Sequence, residues 1–177
     1  MLPEDRFRGN RDVAANEAGG PMIRLVPMDE ATYAAWREAT VAEYAQEKVE
    51  AGTWPAEGAL ARSEADFAAL LPDGRPTAGH ELRSMVNDDG ERVGYAWFVA
   101  EDRPVGRVAF IYDIAVDPAH RRRGYARHAL ALIEAFAREH GLVGVQLHVF
   151  GHNAGARRLY LETGFIETDV MMLKRVD

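Results

Sequence analysis

The sequence predicts an α/β fold with a mixed, mostly antiparallel central sheet and helices on both faces. Segments whose apolar residues alternate, as in strands, are interspersed with segments whose apolar residues recur every three or four positions, as in helices. One predicted strand, at residues 107–116, is apolar on both faces, which is typical of a central strand covered on each side. The 177 residues are enough for one domain with a sizeable core.

The N-terminal part of the chain is predicted to contain a loose extension, a strand and two helices. Residues 1–20 are polar, with few large apolar side chains, so we expect them to be a loose extension. Residues 22–28 alternate as a strand. Asp29 is a suitable N-cap for a long helix that ends near residue 49. A second helix is predicted at residues 56–71, where a turn with two prolines ends it.

A meander of three antiparallel strands is predicted next. The first two strands, at residues 81–87 and 93–101, are joined by the hairpin turn Asp89-Gly90. In the third strand, at residues 107–116, simple alternation predicts two sets of side chains on opposite faces. These are Val108, Phe110, Tyr112, Ile114 and Val116 on one face, and Ala109, Ile111, Asp113 and Ala115 on the other.

The C-terminal part is predicted to alternate helices and strands. A helix at residues 123–140 has apolar residues at three- and four-residue spacing and precedes a strand at residues 142–150. A short helix at residues 154–163 leads to a last strand at residues 165–175. The strands on either side of the long helix should be parallel and joined by a right-handed crossover. We expect residues 21–177 to form a single domain.

The composition argues against several classes of protein. No apolar run approaches the roughly 18–20 residues that a membrane span needs, and the N-terminus lacks the apolar centre of a secretory signal. We therefore expect a cytoplasmic protein with no membrane partner. The absence of cysteine excludes a thiolate nucleophile and cysteine zinc sites. The net charge of −7 argues against a nucleic-acid partner and favours cationic acceptors such as amines.

The most informative stretch is a glycine-containing turn that opens the long helix, formed by Arg121, Arg122, Arg123, Gly124, Tyr125 and Ala126. A turn at a helix N-terminus offers several backbone N–H groups and the positive end of the helix dipole, which together favour phosphate. The arginines add positive charge. Taken alone, this stretch also fits an ordinary helix start with a charged face.

A second stretch, residues 153–165, follows the next strand and strengthens the first. It places Asn153 before a short helix that carries Leu159-Tyr160 and is followed by a Gly-Phe pair. In this order, the two stretches resemble the signatures of the GNAT superfamily of N-acetyltransferases. The acyl-CoA-binding signature there is Arg or Gln, two residues, Gly, one residue, then Gly or Ala, and Arg121 through Ala126 meet it. Arg122 stands where many members have Gly. The resemblance covers roughly residues 22–175.

The resemblance implies a GNAT-like acyl-CoA N-acyltransferase fold with acetyl-CoA as acyl-donor cosubstrate. Residues 121–126 would then bind the pyrophosphate, and the exposed backbone of Ile114, Ala115 and Val116 would hydrogen-bond the pantetheine arm. Asn153 has two candidate roles, capping its helix and binding the cofactor. Tyr160 would donate a proton to the departing thiolate, since a phenol has a pKa near 10. The alternative for Tyr160 is a core aromatic side chain.

Asp113 is the candidate general base for the attacking amine. A carboxyl with an ordinary pKa near 3.9 is a poor base, but burial between apolar neighbours raises that pKa. A purely structural carboxylate is an equal alternative, and Glu81, His148 and His152 are weaker candidates. We expect no metal site, because the two histidines have helical spacing but lie on a predicted strand and in a loop.

These observations predict an N-acetyltransferase that moves an acetyl group from acetyl-CoA to a primary amine of a small molecule or peptide. Without a cysteine nucleophile, we expect direct attack in a ternary complex. A non-catalytic acyl-CoA-binding sensor is the alternative. The first two helices, the 71–80 loop, Trp54, Trp97 and Tyr112 are candidates for the acceptor pocket. The sequence leaves the oligomeric state open, and a homodimer through the late strands is one option.

Overall fold

The structure, a computed structural model, describes residues 22–174 and 176. Its strands and helices, in chain order, are β1 (Ile23–Pro27), α1 (Glu30–Glu50), α2 (Ala59–Leu70), β2 (His80–Asn87), β3 (Arg92–Arg103), β4 (Gly106–Val116), α3 (Tyr125–Glu139), β5 (Val145–Leu147) and α4 (Ala154–Glu162). A short 3-10 turn at Pro118–His120 joins β4 to the start of α3. The predicted loose extension at residues 1–20 lies outside the described residues.

The five strands form one mixed sheet in the order β1-β2-β3-β4-β5. The first four strands are antiparallel neighbours, and β5 pairs parallel to β4 after the α3 crossover. Helix α3 packs on one face through Ala129 and Ile133, whereas α1 and α2 cover the other face with an aromatic core that includes Trp36 and Phe67. This arrangement confirms the predicted fold class. Within the described residues, no helix is long and apolar enough to cross a membrane.

A β-bulge in β4 changes the faces that its side chains occupy. The register between β3 and β4 shifts after Trp97, so that Tyr112 is an extra residue on β4. Ile111 and Ile114 consequently pack in the same core against α3, although simple alternation predicts opposite faces for them. The predicted alternation is therefore wrong beyond Ile111. The bulge places Asp113 on the face covered by α1.

Strands β4 and β5 separate after a short parallel pairing. Only Val145–Leu147 of the predicted strand at residues 142–150 is a strand, and it pairs with Ala109–Ile111. Beyond Ile111, β4 continues to Val116 while paired to β3 alone. The β4 edge that faces β5 is therefore open over its last five residues.

The predicted last strand is not formed over residues 165–174. A strand needs a neighbouring backbone for its hydrogen bonds, and β5 offers an edge of only three residues. From Ile166 onward, the apolar side chains of this segment are consequently exposed, with Met171 95% and Leu173 81% exposed, whereas Phe165 packs against the core. The homodimer through the late strands stays a prediction.

Candidate active site

A cavity of about 760 Å³ lies between the helical layer of α1 and α2 and the separating ends of β4 and β5. Of the predicted site residues, its walls include Asp113, Ile114, Ala115, Arg121, Asn153 and Tyr160. These residues come from β4, the turn before α3, and α4 with its N-cap, which the fold brings to one end of the sheet. Val116 and residues 122–126 do not line this cavity.

Asp113 lies at the floor of the cavity, directly after the β4 bulge. Its Oδ2 accepts a hydrogen bond from the indole Nε1 of Trp36 on α1, at 3.1 Å. Burial raises the pKa of Asp113 to about 7, opposed by this hydrogen bond and reinforced by the negative charges of Glu43 and Glu47. The carboxyl therefore exchanges its proton near neutral pH, as a general base requires.

Trp36 is held in a fixed orientation by aromatic neighbours on both layers. Its ring lies edge-on to Trp97 at a centroid distance of 5.4 Å and edge-on to Tyr95 at 6.3 Å. Tyr33 and Phe67 pack against it from the helical side at 5.7 and 6.1 Å. The indole is only 4% exposed. The hydrogen-bond donor to Asp113 is thus preorganised by the packing around it.

Tyr160 approaches the same cavity from α4. Burial, followed by the negative charge of Asp113, raises the pKa of its hydroxyl to about 12. The hydroxyl consequently stays protonated, and able to donate, at physiological pH. The ring packs against Phe165 at 5.5 Å, and the backbone N–H of Phe165 donates to the Tyr160 carbonyl.

Asn153 performs one of its two predicted roles. Its Oδ1 accepts the backbone N–H of Ala156 at 3.1 Å and so caps α4. The residue also lines the cavity, next to the open edge of β4. The cap uses only the oxygen atom, so the amide nitrogen is left for the second role.

The turn before α3 is built for a close approach to its backbone. Arg122 and Gly124 both have left-handed backbone angles, with φ of 60° and 86°. The left-handed angle at Arg122 explains why a glycine suits this position. The first N–H groups of α3 have no acceptor within the helix, as at any helix start. These features fit a pyrophosphate that is held by backbone donors.

The side chains of this turn contribute unequally. Arg121 Nε donates to the Val116 carbonyl at 3.1 Å, so it ties the turn to the end of β4. The Arg122 and Arg123 side chains are exposed. Tyr125, included among the predicted cofactor residues, instead buries its ring in the core against α3 and is 8% exposed. Only the Tyr125 backbone is available to a ligand.

The other candidates for the base occupy less suitable positions. Glu81 forms an ion pair with Arg83 and does not line the cavity. His148 does line it, and burial, together with nearby Lys48, lowers the pKa of that histidine. His152 lies beside Phe150, with ring centroids 5.5 Å apart. Among the described residues, no three acidic or histidine side chains form a metal-binding group.

The predicted acceptor pocket is partly present. Trp97 and Tyr112 line the cavity and stack on each other at 4.6 Å. Trp54 is not in the cavity wall, because it packs edge-on against Tyr44 at the end of α1. The 71–80 loop also lies outside the lining.

The sequence reasoning missed the polar face that α1 turns to the cavity. Thr40, Glu43 and Glu47 line it together with Tyr44, and Asp66 of α2 lines the same cavity. The sequence does indicate that these residues share the α1 face of Trp36, since positions 36, 40, 43 and 47 recur at helical spacing. Their polarity concealed them, because a polar residue on a helix is normally assigned to solvent.

Comparison with known proteins agrees with this geometry. Residues 33–165 match the model of the acetyltransferase (GNAT) family. The chain is 42% identical to an uncharacterized N-acetyltransferase, YycN of Bacillus subtilis, over 87% of this chain and 99% of that protein. It is 34% identical to a second such protein of the same organism, YdgE, over 86% and 97% of the two chains.

Solved structures show the same relationship. A crystal structure of YycN matches with a TM-score of 0.80, covering 88% of this chain and 99% of that one. An aminoglycoside N-acetyltransferase in complex with CoA, at 19% identity and a TM-score of 0.56, shares the fold. The chain belongs to the GNAT acetyltransferase family. It is an acyl-CoA-dependent N-acyltransferase, which confirms the prediction and favours catalysis over the sensor alternative.

Proposed function

We propose that the protein transfers an acetyl group from acetyl-CoA to a primary amine of a small molecule or peptide, by direct attack in a ternary complex. The observation that carries this proposal is the convergence of Asp113 and Tyr160 on one cavity. That cavity opens onto the unpaired edge of β4. Acetyl-CoA supplies the activated thioester. The turn at residues 121–126 fits its pyrophosphate, and Ile114 and Ala115 offer backbone groups to its pantetheine arm.

Asp113 prepares the nucleophile. Its carboxylate accepts one proton from the incoming ammonium and later releases it to solvent, which its pKa of about 7 allows at neutral pH. The nitrogen lone pair then attacks the thioester carbon, so that a C–N bond forms. The Trp36 N–H holds the carboxylate in place throughout.

Tyr160 assists the departure of the thiolate. As the C–S bond breaks, the sulfur keeps the electron pair and takes the proton of the Tyr160 hydroxyl. The second proton of the attacking nitrogen, lost as the amide forms, restores the hydroxyl. The products are the acetylated amine, the CoA thiol and one proton released through Asp113. The raised pKa of Tyr160 keeps the donor protonated before each turnover.

The test is thiol release from acetyl-CoA across a panel of primary amines, with Tyr160→Phe measured beside the wild type. We expect amine-dependent release, and a kcat lowered about 100-fold in Tyr160→Phe with CoA affinity retained. Tyr33→Phe is the matched control, because Tyr33 is a buried tyrosine outside the cavity lining and the variant keeps the ring that packs against Trp36. Equal turnover in Tyr160→Phe would remove the proton-donor role. Saturable CoA binding without any amine-dependent release would support a sensor.

A further inference from the structure

The cavity face of α1 carries two carboxylates at the acceptor end of the site. Thr40, Glu43, Tyr44 and Glu47 line the cavity at successive helical positions, and the exposed Asp66 of α2 also lines it. Glu43 and Glu47 are close enough to Asp113 for their charges to raise its pKa. Glu43 and Glu47 are therefore part of the same cavity as the candidate base, about two and about three helical turns along α1 from Trp36.

These carboxylates form no ion pair with a lysine or an arginine among the described residues, and the histidine nearest to them in charge effect is His152, which acts on Glu47. None of the ion pairs formed within residues 22–174 involves Glu43, Glu47 or Asp66. Burial raises the pKa of Glu47, the proximity of His152 opposes this, and the nearby charges of Glu43 and Glu50 raise the pKa further. Several carboxylates thus lie close together on one wall of the cavity and repel one another. A bound cation there would reduce this repulsion.

The cations that line the cavity are engaged elsewhere. Lys48 Nζ lies over the rings of Tyr44, Trp54 and Phe150, at 5.1, 5.6 and 5.9 Å from their centroids. Arg103 pairs with Glu101 and lies over Phe110 at 4.1 Å. The Arg121 guanidinium is tied to the Val116 carbonyl.

A second observation in the same wall is the buried hydroxyl of Thr40, which a bound ligand could contact. The Thr40 side chain is 7% exposed, and its hydroxyl oxygen has no hydrogen-bond partner at normal distance among the described residues. The hydroxyl does lie near enough to the Asp113 carboxyl and the Tyr95 hydroxyl to lower the pKa of each. A buried hydroxyl in this state is costly unless a ligand or water completes its hydrogen bonds. The remaining wall is aromatic, with Tyr44, Phe67 and Tyr95. Aromatic faces next to carboxylates are a suitable environment for an alkylammonium group.

We propose that the acceptor is a small molecule with at least two amino groups, of which one is acetylated beside Asp113 while a second, cationic group is held by Glu43 and Glu47. This inference rests on the proposed function and narrows its acceptor class. The second ammonium gives orientation as well as affinity, because it fixes how far the reacting amine extends towards the thioester. A monoamine of equal length lacks this anchor.

The experiment compares three acceptors of matched length, 1,6-diaminohexane, 6-amino-1-hexanol and hexylamine, in steady-state assays of thiol release. Shorter and longer members of each series vary the distance between the reacting amine and the second group. For the best spacing, we expect kcat/KM of the diamine to exceed that of the amino alcohol by about tenfold or more at low salt, as for a charge pair in a partly enclosed site. The advantage should shrink as ionic strength rises.

The variant Glu43→Gln/Glu47→Gln should lower the ratio of the diamine to the amino-alcohol kcat/KM by about fivefold or more. The ratio cancels any effect of the lost charges on Asp113, because both acceptors use the same base. Glu38→Gln is the matched control, since Glu38 is an exposed glutamate of α1 outside the cavity. It should leave the ratio unchanged. The melting temperature of each variant shows whether the fold is intact.

The outcomes separate the two proposals. Turnover of amines without a preference for the diamine, or a preference that survives Glu43→Gln/Glu47→Gln, overturns the two-amine inference and leaves the acetyltransfer proposal standing. No turnover of any amine by the wild type, with CoA bound, overturns the acetyltransfer proposal itself. A diamine preference that is lost in the double variant and kept in Glu38→Gln supports both.

Discussion

Asp113 illustrates how strongly one position on β4 depends on its surroundings. The bulge at Tyr112 turns Asp113 towards α1, where the Trp36 indole donates a hydrogen bond to its carboxyl. Burial of the carboxyl then raises its pKa. The same side chain on a regular strand would lie on the α3 face, as simple alternation places it with Ile111. The chemistry at this residue therefore depends on a single extra residue in the strand.

We expect the raised pKa of Asp113 to appear in both activity and stability. The base must be ionised, so kcat/KM of the wild type should rise with pH through about 7. The pKa in the folded state lies above the unfolded value near 3.9, so the folded state binds the proton more tightly. This carboxyl consequently stabilises the fold least at high pH.

Asp113→Asn should therefore lose activity and gain stability. The gain in the free energy of unfolding should be absent below pH 4, grow between pH 4 and 7, and reach on the order of a few kcal/mol at pH 8. Urea unfolding at pH 4, 6 and 8 measures it, with activity assayed in parallel. A variant that gains no stability at pH 8 would show that the folded-state pKa is ordinary.

At the scale of elements, the turn between β4 and α3 concentrates backbone strain. Arg122 adopts a left-handed angle that costs a non-glycine residue free energy, and Gly124 adopts another directly before α3. Strain of this kind persists where the surrounding structure fixes it, often at a ligand site. The turn thus supports the assignment of the pyrophosphate to this helix start.

The comparison of Gly124→Glu with Gly124→Gln tests that assignment. Both side chains are strained at a φ of 86°, so their difference isolates the negative charge. We expect Gly124→Glu to bind CoA at least about tenfold more weakly than Gly124→Gln, because a carboxylate at a phosphate site repels the ligand. Isothermal titration with CoA measures both.

Arg122→Gly serves as the companion variant. It removes one guanidinium and relieves the left-handed strain while leaving the backbone donors in place. CoA affinity should stay within about threefold of the wild type, the size of one exposed charge contact. Equal affinities of the two Gly124 variants, or a severe loss in Arg122→Gly, would show that backbone groups here do not hold the phosphates.

The elements differ in how well the sequence predicts them. The long helices and the meander follow from periodicity and turn residues, which act locally. The bulge in β4 could not be predicted in this way, because apolar residues alternate regularly through residues 107–116. Only the pairing with β3 shows the extra residue. The prediction of the last strand is wrong for a related reason, since its formation also depends on a neighbouring strand. Residues 165–174 have the composition of a strand but no partner edge of sufficient length.

At the scale of the whole molecule, the site joins parts of the chain that are distant in sequence. Trp36 and Asp113 are 77 positions apart, and Tyr160 reaches the cavity from α4. The motif at residues 121–126 is contiguous, so the sequence alone indicates it. The acidic wall of α1 becomes part of the site only through the fold. The sequence therefore predicts the contiguous turn and the aromatic residues Trp97 and Tyr112 of the acceptor pocket, but not Glu43 and Glu47.

Because the site is formed only in the folded chain, we expect bound CoA to stabilise the folded protein as a whole. A ligand that binds only the folded state at 100 times its Kd adds about 2.7 kcal/mol to the free energy of unfolding. For a protein of this length, that amount corresponds to a rise of roughly 5–10 °C in Tm. Thermal unfolding with and without CoA measures the rise.

The same experiment on Gly124→Glu supplies the contrast. Its own Tm in the absence of ligand gives the cost of the substitution, and only the increment due to CoA bears on the site. We expect that increment to be small in Gly124→Glu and intermediate in Gly124→Gln, in the order of their affinities. An increment of wild-type size in Gly124→Glu would place the CoA phosphates away from this turn. The open edge of β4 and the α1 cavity would then have to hold the cosubstrate without it.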